Sequence, residues 1–360
     1  MPLSLKVLVV GCGHMGAAHA LAYHALPDFE VIGLVSRGGA TREALDRQLG
    51  GGQALFADFA EALAATRPDV VSINTYPETH AEYTLRALEA GAHVFLEKPL
   101  ATTVEDGRRV IQAVQASRRK LVVGYILRHH PSWIRFIEVA RTLGRPLVMR
   151  MNLNQQSQGA AWRTHQRIME SMSPIVDCGV HYLDVMCQMT GAAPVRVSAV
   201  GARLAGDLPD GMYNYGQLQV VFADGSVGWY ESGWGPMMSE VAFFVKDVIG
   251  PRGSVSIVKQ SGDAGSDGGS DDLESHTRTS SLRVHHSALD DNDSFARRDD
   301  IISTDDEPSH QELCHREQAY LLRAIKQDLD LTDHLQDAIN SLRVVLAADD
   351  SVRLGRTIDL

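Results

Sequence analysis

Through the first third of the chain, short apolar runs alternate with longer stretches of helical period. Lys6–Val10, Glu30–Val35, Asp69–Asn74, Val94–Glu97 and Leu121–Tyr125 have the length and β-branched content of strands. Between them, Ala17–Leu26, Thr41–Leu49, Asp58–Ala65, Thr79–Ala90 and Val104–Ser117 read as helices. Strands in regular alternation with helices predict a doubly wound parallel sheet. After a helix over Trp133–Thr142 the rhythm changes. Strands are predicted at Leu147–Leu153, Val195–Val200, Tyr213–Phe222, Val227–Gly233, Val241–Val248 and Ser254–Val258, with Asp224-Gly225 as a hairpin turn. Only one long helix, Ile175–Met189, interrupts them, so a large, open, mostly antiparallel sheet is expected. Ser261–Asp272 is dense in Gly, Ser and Asp and reads as loop, with short strands at Leu282–His286 and Asp300–Ser303. Helices at His310–Gln327 and Asp333–Ala348 close the chain and are expected to pack back on the first domain. The division this predicts is residues 1–128 and 129–360.

Composition narrows the functional class. A length of 360 residues suits two domains, and 44% apolar with 22% charged residues is ordinary for a globular chain. A formal net charge of -11 argues against a nucleic-acid partner, whose binding rests on clustered Lys and Arg. Cys12, Cys178, Cys187 and Cys314 lie far apart, without metal-ligand spacing or a disulfide framework, and are expected as free thiols in a reducing compartment. His285-His286 has no matching ligand set, so no metal is expected there. No apolar leader or spanning segment is legible, and the expected location is the cytoplasm.

The most informative local pattern is Gly11-Cys12-Gly13-His14-Met15-Gly16, placed directly between a strand and a helix. In that context Gly11 permits a tight turn, Gly13 admits a pyrophosphate, Gly16 lets the helix lie close, and the helix N-terminus offers amide donors. At the end of the second strand, where an acidic residue would bind the adenosine ribose, stand Ser36 and Arg37. Ser and Arg can receive a 2'-phosphate, which favours NADP while leaving NAD open. Arg37 as a solvated loop residue is the competing reading. The loop Thr75-Tyr76-Pro77-Glu78-Thr79-His80 follows the strand Asp69–Asn74. It reads either as nucleotide-facing or as a Pro-terminated strand with a Thr cap. Glu97-Lys98-Pro99 ends the next apolar run and delivers an acid, a base and a bend to the same edge, where ligands of open α/β sheets sit. The Lys98-Pro99 bond is a candidate for cis.

With Asp177-Cys178-Gly179-Val180-His181 further on, these motifs in order resemble the glucose-fructose oxidoreductase / inositol dehydrogenase / rhizopine-catabolism (Gfo/Idh/MocA) family. Ala87–Gly91, Gly124-Tyr125 with Arg128 and Pro131, Trp162-Arg163 and Ser351–Gly355 extend the likeness over essentially the whole chain. The resemblance implies a Rossmann domain, a second sheet domain whose free face commonly builds an oligomer, and reversible oxidation of a sugar or cyclitol hydroxyl by NAD(P). Two places depart from the family pattern. Ser171-Met172-Ser173-Pro174 replaces a glycine cluster, and Thr75-Tyr76-Pro77 replaces the commoner Thr-Pro.

For such a reaction the proton of the hydroxyl must leave with the hydride, and a histidine suits that transfer. Asp177 and His181 are four apart and share one helix face, with Asp184 a turn further. The expected catalytic set is His181 as acid/base, Asp177 as its orienter or a substrate-binding partner, and Lys98 as the electrostatic group, able to share the proton if its pKa is depressed. A structural Asp-His hydrogen bond is the alternative. The cofactor-binding set is Gly11, Gly13, His14, Met15, Gly16, Ser36, Arg37, Thr75, His80, Glu97 and Lys98. Tyr125, Arg128, His129, Trp162, Arg163 and His165 offer donors and aromatic faces for a polyol. Trp229, Tyr230 and Trp234 are candidates for an oligomer interface or for sheet packing. Two other functions use the same features: a redox-assisted glycosidase that keeps its nucleotide, and a non-catalytic nucleotide or sugar sensor.

Overall fold

The computed structural model describes residues 4–239, 245–258, 277, 279–304 and 307–360. Two compact units emerge, one formed by the chain up to Ile126 together with Pro308–Ile339, the other by Leu127–Glu307 with Asn340–Leu360.

The first unit is built on a six-stranded parallel sheet. Its strands are β1 (Leu5–Val10), β2 (Phe29–Val35), β3 (Ala54–Phe56), β4 (Val70–Ile73), β5 (His93–Glu97) and β6 (Leu121–Gly124), in the order β3-β2-β1-β4-β5-β6. That order reverses between β1 and β4, which makes their C-terminal ends the switch point where dinucleotides bind. The helices are α1 (His14–Ala25), α2 (Gly39–Gln48), α3 (Phe59–Thr66), α4 (His80–Glu89) and α5 (Val104–Ser117). Strand β3 was not foreseen, because three residues are too short to show any alternation. The central strands are buried on both faces, Val7 to Val10, Val70 to Ile73 and Val94 to Leu96 lying at or near zero exposure. This explains why they read as continuous apolar runs. From the C-terminal part come α9 (His310–Lys326) and the opening of α10 (Thr332–Leu354). Leu321 and Ala324 of α9 join Tyr23, Phe29 and Val31 in one core cluster.

The second unit holds a nine-stranded sheet ordered β14-β13-β12-β11-β7-β10-β9-β8-β15. Its strands are β7 (Val148–Gln156), β8 (Pro194–Ala202), β9 (Tyr215–Phe222), β10 (Val227–Gly235), β11 (Lys246–Gly250), β12 (Gly253–Val258), β13 (Ser281–His286), β14 (Asp300–Ser303) and β15 (Ile358–Asp359). All pairs are antiparallel except β7 with β10, so the sheet is mostly antiparallel as the pattern implied. Residues 241–244 of one expected strand and the expected loop at 261–272 lie outside the described residues. One face of this sheet is covered by α6 (Pro131–Thr142) and α8 (Pro174–Thr190). Gly179 lets α8 lie close, since a Cβ there would stand 3.2 Å from the Tyr230 ring. Helix α7 (Gly159–Ile168) was not foreseen; its Gly start and polar, basic composition disguise its period.

Alternation along the strands sorts the aromatic trio. Tyr230 and Trp234 point into the core and are fully buried, whereas Trp229 points to the opposite face and donates from Nε1 to Gln217 at 3.1 Å. Tyr230 and Trp234 are therefore packing residues, not interface residues. On the same face as Trp229, Val221, Val227, Val148 and Ile249 are cross-strand neighbours in one row over β9, β10, β7 and β11. Three of them remain 38–42% exposed.

Candidate active site

The nucleotide turn follows from close backbone approaches. Gly11 has φ +90°, and a Cβ on it would lie 2.4 Å from the carbonyl oxygen of Asn74. A Cβ on Gly16 would lie 1.8 Å from the carbonyl oxygen of Gly11. Neither position tolerates a side chain, so the turn, the start of α1 and the end of β4 are held as one block. Gly13 is different: a Cβ there would meet no protein atom within 4 Å. Gly13 is also the N-cap of α1 and offers no side-chain cap, which leaves the first-turn amides facing outward. An anion with its own oxygens fits this cradle, as a dinucleotide pyrophosphate would. His14 is exposed and Met15 half-buried at the same turn.

At the end of β2, Ser36 Oγ is 3.2 Å from Thr41 Oγ1, and Arg37 is exposed. Arg42 was not singled out from the sequence. Its Nη1 donates to the carbonyls of Ser36 at 2.5 Å and Phe56 at 3.2 Å, so a second guanidinium lies beside Ser36. The signal available was its place one turn into α2, but helix α2 carries a second arginine, Arg47.

Lys98 follows β5 directly, beside β4, and is half-buried; the Lys98-Pro99 peptide is cis. Its neighbour Glu97 is turned inward. Glu97 Oε1 is 2.8 Å from Nε2 of the buried His19, Glu97 Oε2 accepts the Lys98 N–H at 3.1 Å, and His19 Nδ1 accepts from Gln318 Nε2 at 2.9 Å. Glu97 thus braces the strand end, with each of its oxygens engaged by the protein. Glu317 nearby is pushed well up by burial and by the Glu97 charge. Ligand atoms of His19, Cys314 and Glu317 fall within 4.8 Å of one another. Both ring nitrogens of His19 are bonded to Glu97 and Gln318, and burial pushes the Cys314 thiol up, so the set is a poor fit to a cation. His80 is fully buried, with its ring nitrogens on the carbonyls of Pro99 and Thr75, so it touches protein and not nucleotide. Thr75 is half-buried and its hydroxyl lies 2.6 Å from that of Thr79.

In the second unit α8 presents the chemistry. Ser173 caps it, accepting from the Val176 N–H at 3.2 Å, and Pro174 occupies its first turn. Ser173 also donates to Asp349 at 2.7 Å. The departure from a glycine cluster at this point is therefore a helix start. Of the whole helix only Asp177, His181 and Gln188 are not buried. Asp177 sits in the first turn, where the helix dipole favours its charged form, and His181 lies one turn later on the same side. Beneath Asp177, the Cys178 thiol donates to Gln155 Oε1 at 3.2 Å, and Trp234 Nε1 donates to the same oxygen at 2.5 Å. His165 stacks on Trp234 at 4.4 Å and 9°, with its Nδ1 3.0 Å from Ser157 Oγ. His165 is buried in this floor and cannot offer its ring to a polyol.

Two more expected substrate residues prove to be internal. Tyr125 is fully buried, its ring edge-on to His334 at 6.3 Å. Arg128 forks onto Asp184, Nε to Oδ2 at 2.8 Å and Nη2 to Oδ1 at 2.6 Å, so its donors serve α8. Asp184 is buried beneath that fork and is no part of an exposed stripe. His129 and Trp162 are half-buried and Arg163 is exposed. The paired His285 and His286 are each 2.9 Å from a carboxylate, Asp299 and Asp300.

A parallel sheet in this order with a glycine turn at its switch point defines the class of dinucleotide-binding proteins. The chain belongs to the GFO/IDH/MocA oxidoreductases: residues 5–125 match the family described as "Oxidoreductase family, NAD-binding Rossmann fold", and residues 137–256 match the GFO/IDH/MocA C-terminal domain. It is 31% identical over 188 residues to an inositol 2-dehydrogenase of Klebsiella pneumoniae, which is 51% of this chain and 54% of that protein. The matched stretch thus spans about half the length of that relative. Among solved structures, an NAD-binding oxidoreductase from Klebsiella pneumoniae superposes with a TM-score of 0.79 at 20% identity, covering 99% of this chain and 98% of the other. An aldose-aldose oxidoreductase from Caulobacter crescentus gives 0.76 at 22%, covering 99% and 100%.

Proposed function

We propose that the protein is an NAD(P)-dependent dehydrogenase that moves a hydride between nicotinamide and a hydroxyl or keto group of a sugar, sugar derivative or cyclitol. The observation that carries this reading is helix α8, which buries fourteen positions and leaves Asp177 and His181 as its accessible ionisable pair. A helix that is otherwise core keeps such a pair uncovered for a purpose other than packing. When bound, the dinucleotide supplies the hydride acceptor, or the donor in reverse. His181 takes the hydroxyl proton as the C–O bond becomes C=O and the carbon-bound hydrogen departs with its electron pair. Asp177 orients the imidazole or a neighbouring hydroxyl, and the Lys98 ammonium stabilises negative charge building on the oxygen. His129, Trp162 and Arg163 are the substrate-facing residues of this reading.

Ser36 and Arg37, with Arg42 beside them, favour NADP over NAD. The likeness to inositol 2-dehydrogenases makes cyclitols the first substrates to try. The exposed row Val227, Val148 and Ile249 supports association of two copies through the open sheet face.

The test begins with fluorescence titrations against NADPH and NADH, followed by a panel of cyclitols and aldoses. Tighter NADPH binding that Arg37→Asp reverses supports the selector. Loss of turnover in Lys98→Ala and His181→Ala, with nucleotide affinity kept, supports the catalytic roles. If neither nucleotide binds and denaturation releases none, the dehydrogenase reading fails.

A further inference from the structure

His80 opens α4 and has no exposed surface. Its Nδ1 lies 2.7 Å from the carbonyl oxygen of Pro99, and its Nε2 lies 2.9 Å from the carbonyl oxygen of Thr75. Carbonyl oxygens only accept, so at either contact it is the ring that donates. Thr75 belongs to the segment after β4, whose Asn74–Thr75 peptide the nucleotide turn at Gly11 touches directly. Pro99 is bonded to Lys98. One imidazole therefore spans the two loops that carry the nucleotide turn and the candidate electrostatic group.

We propose that His80 is a positioning residue for the reaction, setting the place of Lys98 relative to the nucleotide by tying the Thr75 carbonyl to the Pro99 carbonyl. The inference rests on the reading of Lys98 given above. The path is contiguous: Gly11 against Asn74–Thr75, Thr75 to His80, His80 to Pro99, Pro99 to Lys98. The strand end itself is held separately. Glu97, locked by His19 and Gln318, accepts the Lys98 backbone N–H, so losing His80 loosens the loop beyond Lys98 without releasing β5.

The two arms of the tie are unequal, and the charges around the ring oppose one another. Burial pushes its pKa down, the Pro99 and Thr75 carbonyls and the Glu97 charge pull it up, and the Lys98 charge pushes it down again. The contact to Pro99, at 2.7 Å, is the shorter arm, and that to Thr75, at 2.9 Å, the longer.

Side chains of known reach separate the two arms. Asn places its amide where Nδ1 stood and keeps the Pro99 bond; Gln reaches as Nε2 did and keeps the Thr75 bond. His80→Gln is expected to lower kcat by roughly 10- to 100-fold, the cost of misplacing a reacting group by about an ångström, with substrate KM and NAD(P)H affinity nearly unchanged. His80→Asn is expected to lose less, because Pro99 stays tied. A kcat unchanged in His80→Gln overturns the proposal, as does a loss shared equally with nucleotide affinity. Lys98→Ala is run beside them. If it retains turnover, the failure is that of the Lys98 reading, and His80 has nothing to position. Should neither His80 variant fold, the crystal structure of the wild-type protein with NADPH decides: the ring on both carbonyls and the Lys98 ammonium at the nicotinamide are expected, and a ring turned away from Pro99 overturns the proposal.

Discussion

Replacing Arg128 distinguishes a structural arginine from a ligand-binding one. The side chain is 15% exposed and its partner Asp184 1%. Gln188 adds a third donor to Asp184 at 2.9 Å. Burial pushes the Asp184 carboxyl up, and Arg128 and Gln188 pull it back. In Arg128→Ala the buried carboxylate loses the guanidinium fork and keeps the Gln188 amide, and breaking a buried pair from one side costs about 3–5 kcal/mol. All four tryptophans, Trp133, Trp162, Trp229 and Trp234, lie in the second unit. Denaturant unfolding followed by tryptophan fluorescence therefore reports on the unit that contains the pair. The double variant Arg128→Met/Asp184→Leu is expected to recover most of the loss, because no charge is left to desolvate. The penalty of the single variant should also shrink as pH falls towards the ordinary carboxylate range. There the orphaned Asp184 is neutral when folded, and as the unfolded carboxyl also becomes protonated the cost of neutralising it on folding disappears. A single variant within about 1 kcal/mol of wild type, with a raised substrate KM, would refute the structural reading.

Gly16→Ala puts a methyl group against the Gly11 carbonyl and displaces the amides of the turn. Losing two charge-assisted hydrogen bonds at about 1.5–3 kcal/mol each weakens NADPH binding by ~100-fold or more, and an unchanged titration curve would contradict the close approach. His93 governs part of the acid limb of stability. Its pKa is pushed down to about 4 by burial, then by Arg119 and Lys120, against Asp69, and its Nδ1 accepts the Lys120 N–H at 2.9 Å. The neutral ring contributes in full above the unfolded value near 6.5, and that contribution is lost as pH falls towards 4. Because the ring is only partly buried, the loss is on the order of 1–2 kcal/mol after solvent screening. Thermal midpoints between pH 7 and 4 should fall less steeply in His93→Gln, and identical slopes would remove His93 from the account.

Local sequence was sufficient for whatever depends on neighbours along the chain. The five long parallel strands were legible because burial makes them continuous apolar runs, and the Gly11–Gly16 turn because its spacing is fixed by one turn and one helix start. The helix carrying Asp177 and His181 was legible from its period to within a residue or so at each end. Tertiary structure decided the direction and partner of each polar side chain. Arg128, His165 and His80 all carry groups suited to ligands, yet they face Asp184, Trp234 and two carbonyls brought from elsewhere in the fold. Tyr125 could as well have been a sugar platform until the sheet closed over it. Arg42 and the Glu97–His19–Gln318 brace join residues as far apart as 299 positions, a separation no local pattern records. A charge or donor is assigned by where its nearest complement lies, and in this fold that complement is seldom a neighbour in sequence.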